Sequence, residues 1–106
     1  MPASATGLAP VHAISRSLPW GTGLSSGEKL RLIRHEQRLT LRDVSLATRL
    51  IAVGQNNLEF AISPGRLSEV ETKGVVPNIY RLYSLAMIYQ LDLRELLAWF
   101  GIPRLP

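Results

Sequence analysis

The sequence predicts an all-α domain, and three observations carry that expectation. Five residues of the kind that cap helices, Ser25, Thr40, Ser63, Asn78 and Asp92, each stand just before an apolar pattern. Within those stretches the apolar residues recur three and four apart, and nothing reads as a convincing strand. The connections are a few residues long and hold turn-forming or helix-breaking residues, among them Gly74, Pro77 and Gly101. Five short helices joined in this way pack as a bundle.

Residues 1–24 are rich in Ala, Ser, Pro and Gly and carry one charge, Arg16, which predicts a flexible, disordered N-terminal arm. Leu18-Pro19-Trp20 is the exception, with Trp20 available to pack on the folded part. Residues 25–102 make up the domain and 103–106 a short tail. The first helix opens at Ser25-Ser26-Gly27-Glu28, a capping box in which Glu28 reaches back to the cap. It runs to about Gln37, with Leu30 and Ile33 inward and Gln37 on the same stripe. Lys29, Arg31, Arg34 and Arg38 make it basic. Arg34 sits at the edge of the buried face, where it either pairs with an acid such as Glu71 or meets phosphate; the ion pair is the favoured role.

Thr40 and Asp43 form a second capping box. Leu41, Val44, Ala47, Leu50 and Ile51 follow at helical spacing, and the pattern runs to about Val53, where Gly54 stops it. Gln55-Asn56-Asn57 reads as a turn. Leu58 to Ile62 is too short to classify and tucks Phe60 and Ile62 under the next helix. The third helix begins with Ser63 as cap and Pro64 at the first helical position. It ends with Gly74 after Lys73. Leu67 and Val70 face inward. Val75-Val76-Pro77 is an extended linker. Asn78 caps a fourth helix with Leu82, Leu85, Ala86 and Tyr89 inside, ended by Gln90-Leu91. Asp92-Leu93-Arg94-Glu95 reads as another capping box, starting a fifth helix with Leu93, Leu96, Leu97 and Phe100.

Composition narrows the function. The chain has 106 residues, 46% of them hydrophobic, enough for one small core. There are no cysteines, which excludes disulfides, thiolate metal sites and cysteine nucleophiles. Neither a secretory signal nor a run of about 18 apolar residues is present, so the expectation is a cytoplasmic protein that does not enter a membrane. The net charge is +4 and the pI near 10.1, and ten of the twelve basic residues are arginine, the side chain suited to phosphate and to guanine edges. His12 and His35 lie far apart, no histidine pair has ligand spacing, and no Gly-rich loop follows a strand. No enzyme activity, metal or cofactor is expected.

Taken in order, several short runs match a known pattern. They are Gly27 to Arg34, Leu39-Thr40-Leu41-Arg42-Asp43-Val44, Ile62-Ser63 with Leu67 to Gly74, and Pro77-Asn78 with Leu82, Leu85 and Ala86. The most specific part is Leu67-Ser68-x-Val70-Glu71-x-x-Gly74 followed by Pro77 and its Leu82, Leu85, Ala86 spacing. Over about residues 27–97 the chain resembles the Cro/CI repressor-type (XRE family) helix-turn-helix domain. The resemblance implies a five-helix, lambda-repressor-like DNA-binding domain whose third helix, about 63–73, enters the major groove. It places Pro64, Gly65, Arg66 and Glu69 at base-facing positions, and Ser63 and Ser68 against phosphate or base. It makes Thr40 and Arg42 phosphate contacts, puts Lys73 and Asn78 beside a second backbone approach, and leaves Glu71 structural.

Three departures qualify that map. Thr40 and Ser63 stand about a dozen residues further apart than in the tight form, so the second helix is extended and Gly54 to Ala61 form a loop. Arg38 replaces a glycine at a corner that favours a left-handed backbone. Pro64-Gly65 removes side chains from the reading end, leaving Arg66 as the main guanine contact, with Glu69 able only to accept from cytosine. The expected function is sequence-specific binding of double-stranded DNA in transcription regulation. The alternative is a protein-interaction module that keeps the fold without specific DNA binding. A homodimer is expected under either reading, with Trp99 to Ile102 and Leu105 as its apolar end.

Overall fold

The computed structural model describes residues 23–102, and these are all-helical. Five α-helices follow in order: α1 (Ser26–Glu36), α2 (Leu41–Gln55), α3 (Pro64–Lys73), α4 (Ile79–Tyr89) and α5 (Leu93–Trp99), with a single 3-10 turn (Leu58–Phe60) between α2 and α3. Arm residues 1–22, with Arg16 and Trp20, and tail residues 103–106, with Leu105, lie outside the described residues, whereas Leu24, expected to belong to the arm, is half-buried against the core.

Two of the three expected capping boxes form; at α5 the Asp92 side chain accepts from the Arg94 amide, one residue short of Glu95. At α1 the Glu28 amide donates to Ser25 Oγ (3.2 Å) and the Ser25 amide to Glu28 Oε1 (2.8 Å). At α2 the Asp43 amide donates to Thr40 Oγ1 (3.0 Å) and the Thr40 amide to Asp43 Oδ2 (2.9 Å). Ser63, Asn78 and Asp92 cap α3, α4 and α5 by accepting from the amides of Arg66, Arg81 and Arg94. These bonds satisfy amide donors that a helix start leaves open.

Helix ends are set by left-handed residues. Gly74 closes α3 at φ 69°, as its position after Lys73 predicts. The end of α2 differs from expectation. Gly54 lies within the helix, which runs to Gln55, and Asn56 takes the left-handed conformation at φ 53°. Asparagine tolerates that region better than most residues, so it serves as the stop in place of glycine. Arg38 adopts φ 59° at the corner between α1 and α2, the conformation anticipated for the site where glycine is usual.

The core is built from Leu30, Ile33, Val44, Ile62, Leu67, Val70, Leu82, Leu85, Tyr89 and Leu96, all of them buried. On α2 the inward stripe differs from the one read from the apolar pattern. Val44, Ser45, Thr48 and Ala52 are buried, whereas Leu50 is 74% exposed. The physical reason is that two inward positions carry hydroxyls with work to do on the following loop. Phe60 is half-buried and meets Tyr80 and Tyr83 of α4 edge-on (5.2 and 5.6 Å between centroids), so it packs under α4 rather than α3.

A buried ion pair joins α1 to α3. Arg34 Nε donates to Glu71 Oε2 (2.8 Å) and Nη2 to Oε1 (3.0 Å), while Nη1 donates to the Leu39 carbonyl (2.9 Å). The bond to Glu71, with burial opposing it, raises the Arg34 pKa above the ordinary arginine value. The helices can approach this closely because Gly27 has no side chain: a Cβ there would press on the Val70 and Glu71 carbonyls.

Candidate nucleic-acid interface

The start of α3 is held by its preceding loop. Three successive carbonyls, those of Phe60, Ala61 and Ile62, accept from Ser84 Oγ (2.7 Å), Arg81 Nε (2.9 Å) and Ser45 Oγ (2.7 Å). The Ile62 amide donates to Thr48 Oγ1 (2.9 Å), and that hydroxyl donates to the Ser45 carbonyl (2.6 Å). Side chains from α2 and α4 thus take the place of a tight turn. They fix the chain immediately before the Ser63 cap and so set the angle at which α3 leaves.

The N-terminal ends of α2 and α3 border one open depression of about 580 Å³. Its walls include Arg38, Thr40 and Arg42, with Pro64 from α3 and His35 from α1. Three of the residues read from the sequence, Thr40, Arg42 and Pro64, therefore share one surface. Arg34 also borders it, but its guanidinium is committed to Glu71 and Leu39. Arg38 and Arg42 are exposed, and among the described residues neither has a carboxylate within ion-pair distance. Two guanidinium groups and the amide-rich ends of two helices make this surface favourable for an anion. Asp43 at the α2 start works against that field; the Thr40 backbone amide, then its hydroxyl, hold the Asp43 carboxyl below its usual pKa.

The remaining candidates are distributed along α3 and beyond it. Ser63, Pro64, Gly65 and Arg66 are exposed at its first turn, and Ser68 and Glu69 are half-buried one turn later. Ser63 Oγ is engaged as the cap. Arg66 Nη1 lies 3.2 Å from Glu69 Oε1, an exposed pair one helical turn apart. Such a pair is worth at most about 1 kcal/mol and is readily exchanged for another partner. The Ser68 carbonyl accepts from Thr72 Oγ1 (2.7 Å). Lys73 and Asn78 lie at the other end of the helix. There Asn78 Oδ1 accepts from the Arg81 amide to cap α4 and its Nδ2 donates to Glu59 Oε1 (3.1 Å), so the residue is a structural clip.

Sequence reasoning missed the contribution of Arg38 and His35 to the basic surface. Arg38 was conspicuous only as a substitute for glycine, and its left-handed backbone is what turns the chain there, between α1 and α2. It also missed Arg81, whose guanidinium holds the loop from inside. No signal in the sequence distinguishes an arginine that grips a carbonyl from one that faces solvent.

Among the described residues no group of three His, Asp or Glu side chains gathers to hold a metal ion, and no helix is long and apolar enough to cross a membrane. Comparison with protein-family models, with curated proteins and with solved structures finds no match to this chain.

Proposed function

We propose that the chain is a sequence-specific double-stranded DNA-binding regulator of transcription, with a lambda-repressor-like arrangement in which α3 enters the major groove. The observation that carries this reading is the shared basic depression at the N-terminal ends of α2 and α3. A helix pair that presents both amide-rich ends on one cationic surface suits a phosphate backbone, with α3 projecting from it toward the base edges. Burial of Glu71 against Arg34 supports the same reading, because it removes one carboxylate from the surface that would face phosphates.

In this arrangement Thr40, Arg38 and Arg42 contact phosphates and set the register. Arg66 supplies the base readout by exchanging Glu69 for a guanine edge, since Pro64 and Gly65 offer no polar side chain. The test is selection of bound duplexes from a random pool at near-physiological salt, followed by anisotropy titration of selected and scrambled duplexes. Affinity should fall steeply with salt. Arg66→Ala should cost about 1–3 kcal/mol on the selected duplex and little on the scrambled one. Equal affinity of the native chain for the two duplexes refutes specific reading.

A second reading, a protein-interaction module on the same scaffold, is favoured by the bare first turn of α3 and by the Arg66–Glu69 pair, which neutralises the one cation at that end of the helix. It expects no salt-sensitive binding to any duplex.

A further inference from the structure

The solvent side of α2 is apolar. Leu46, Leu50 and Val53 recur at i, i+4 and i+7, a single stripe opposite the buried Val44, Thr48 and Ala52. They are 51%, 74% and 73% exposed, and Leu58, which opens the 3-10 turn, is 81% exposed. Between Val44 and Leu58 the only charged residue is Arg49. At Gln55 this surface meets an open apolar groove of about 210 Å³, walled by Phe60, Tyr80, Tyr83 and neighbours. Beyond it Met87 of α4 is half exposed.

We propose that this face, centred on Leu50, is where two copies of the chain pair. Leu46, Leu50, Val53, Leu58 and Met87 are each at least half exposed, an apolar surface large for a monomer and close in scale to the about 800 Å² per partner of a standard interface. The stripe is also self-complementary. Two α2 helices crossed antiparallel about a two-fold axis at Leu50 set Leu50 on the partner's Leu50 and Leu46 against the partner's Val53, as an isologous contact requires. A partner selected by charge would find almost no charge to match. A second copy needs none, the stretch from Val44 to Leu58 carrying a single charge, Arg49.

The C-terminal end, the dimer surface expected from the sequence, is less suitable. Trp99 and Phe100 pack on the core, with Lys29 Nζ 5.2 Å from the Trp99 ring centroid, and Ile102 is 40% exposed. Pairing through α2 does not depend on the DNA reading, and its test contains no DNA.

Sedimentation of the full 106-residue chain from about 1 µM to about 500 µM is the experiment. The average mass should rise from that of the 11.7 kDa chain to twice that value. Leu50→Glu should move the midpoint at least about tenfold to higher concentration. Because Leu50 is exposed, that variant should keep the native circular dichroism and melting curve. Ile102→Glu should leave the midpoint in place. A chain that stays monomeric at the highest concentration overturns the proposal, as does a dimer that Leu50→Glu leaves intact or Ile102→Glu dissociates. A monomer in which a Leu50→Cys thiol resists a thiol reagent also overturns it, and would assign the face to another segment of the same chain.

Discussion

Truncating Glu71 to alanine should unfold much of what joins α1 to α3. In the native chain its carboxylate takes two charge-assisted hydrogen bonds from Arg34, and the two side chains are only 4% and 10% exposed. Glu71→Ala therefore strands a buried guanidinium whose one remaining protein oxygen is the Leu39 carbonyl. Removing one member of such a pair costs about 3–5 kcal/mol. For a folded part of about 80 residues each kcal/mol lowers the melting temperature by about 4–8 °C, so the transition should fall by roughly 15 °C or more. Urea denaturation followed by circular dichroism at neutral pH measures the loss directly. The Arg34→Met/Glu71→Leu double variant should recover at least about half of it, because a packed apolar pair replaces the ions without stranding either. A loss below about 1 kcal/mol for Glu71→Ala, or a double variant less stable than Glu71→Ala, refutes the reasoning.

Three further outcomes follow from single side chains. Thr48→Val keeps the shape of a fully buried residue but leaves the Ile62 amide without an acceptor, and should cost about 1–3 kcal/mol in the same urea assay. Arg38→Gly relieves a left-handed non-glycine residue and should stabilise the fold by up to about 1 kcal/mol. In the DNA-binding reading the same change should lower the salt dependence of affinity by about one counterion, so stability and binding move in opposite directions. The Tyr89 hydroxyl is buried without a hydrogen-bond partner among the described residues, and burial, with Glu71 adding to it and Arg34 opposing, pushes its pKa above the ordinary value. Below about pH 10 the phenol is neutral folded and unfolded. As pH rises past that value the unfolded chain ionises first, so stability falls, and Tyr89→Phe should flatten this decline without loss at neutral pH. Urea midpoints at about pH 7 and about pH 11 compare the two chains.

Much of the secondary structure was legible because it is written in local chemistry. The five caps, the proline at the first position of α3, Gly74 at its end and the Leu82, Leu85, Ala86, Tyr89 stripe of α4 each act within a few residues. A capping bond needs only the next turn of its own helix, so sequence spacing is enough to find it. The Arg34–Glu71 pair was legible for a related reason: each lies at the edge of an apolar stripe, and two opposite charges entering one core must meet.

Tertiary structure decided what local spacing left degenerate. The pattern of α2 holds apolar residues all round the helix, so periodicity could not say which face turns inward. Ser45 and Thr48 settle it, because the loop carrying Ile62 needs their hydroxyls, and Leu50 and Val53 are thereby left in water. The convergence of Arg38, Thr40, Arg42 and Pro64 on one surface likewise required the angle between α2 and α3. That angle is fixed by Ser84 and Arg81, twenty or more residues along the chain from the carbonyls they hold. The chain's sequence alone determined which segments are helical and where they start. Contacts between residues distant along the chain determined which faces of those helices are buried, which are basic and which remain apolar in solvent.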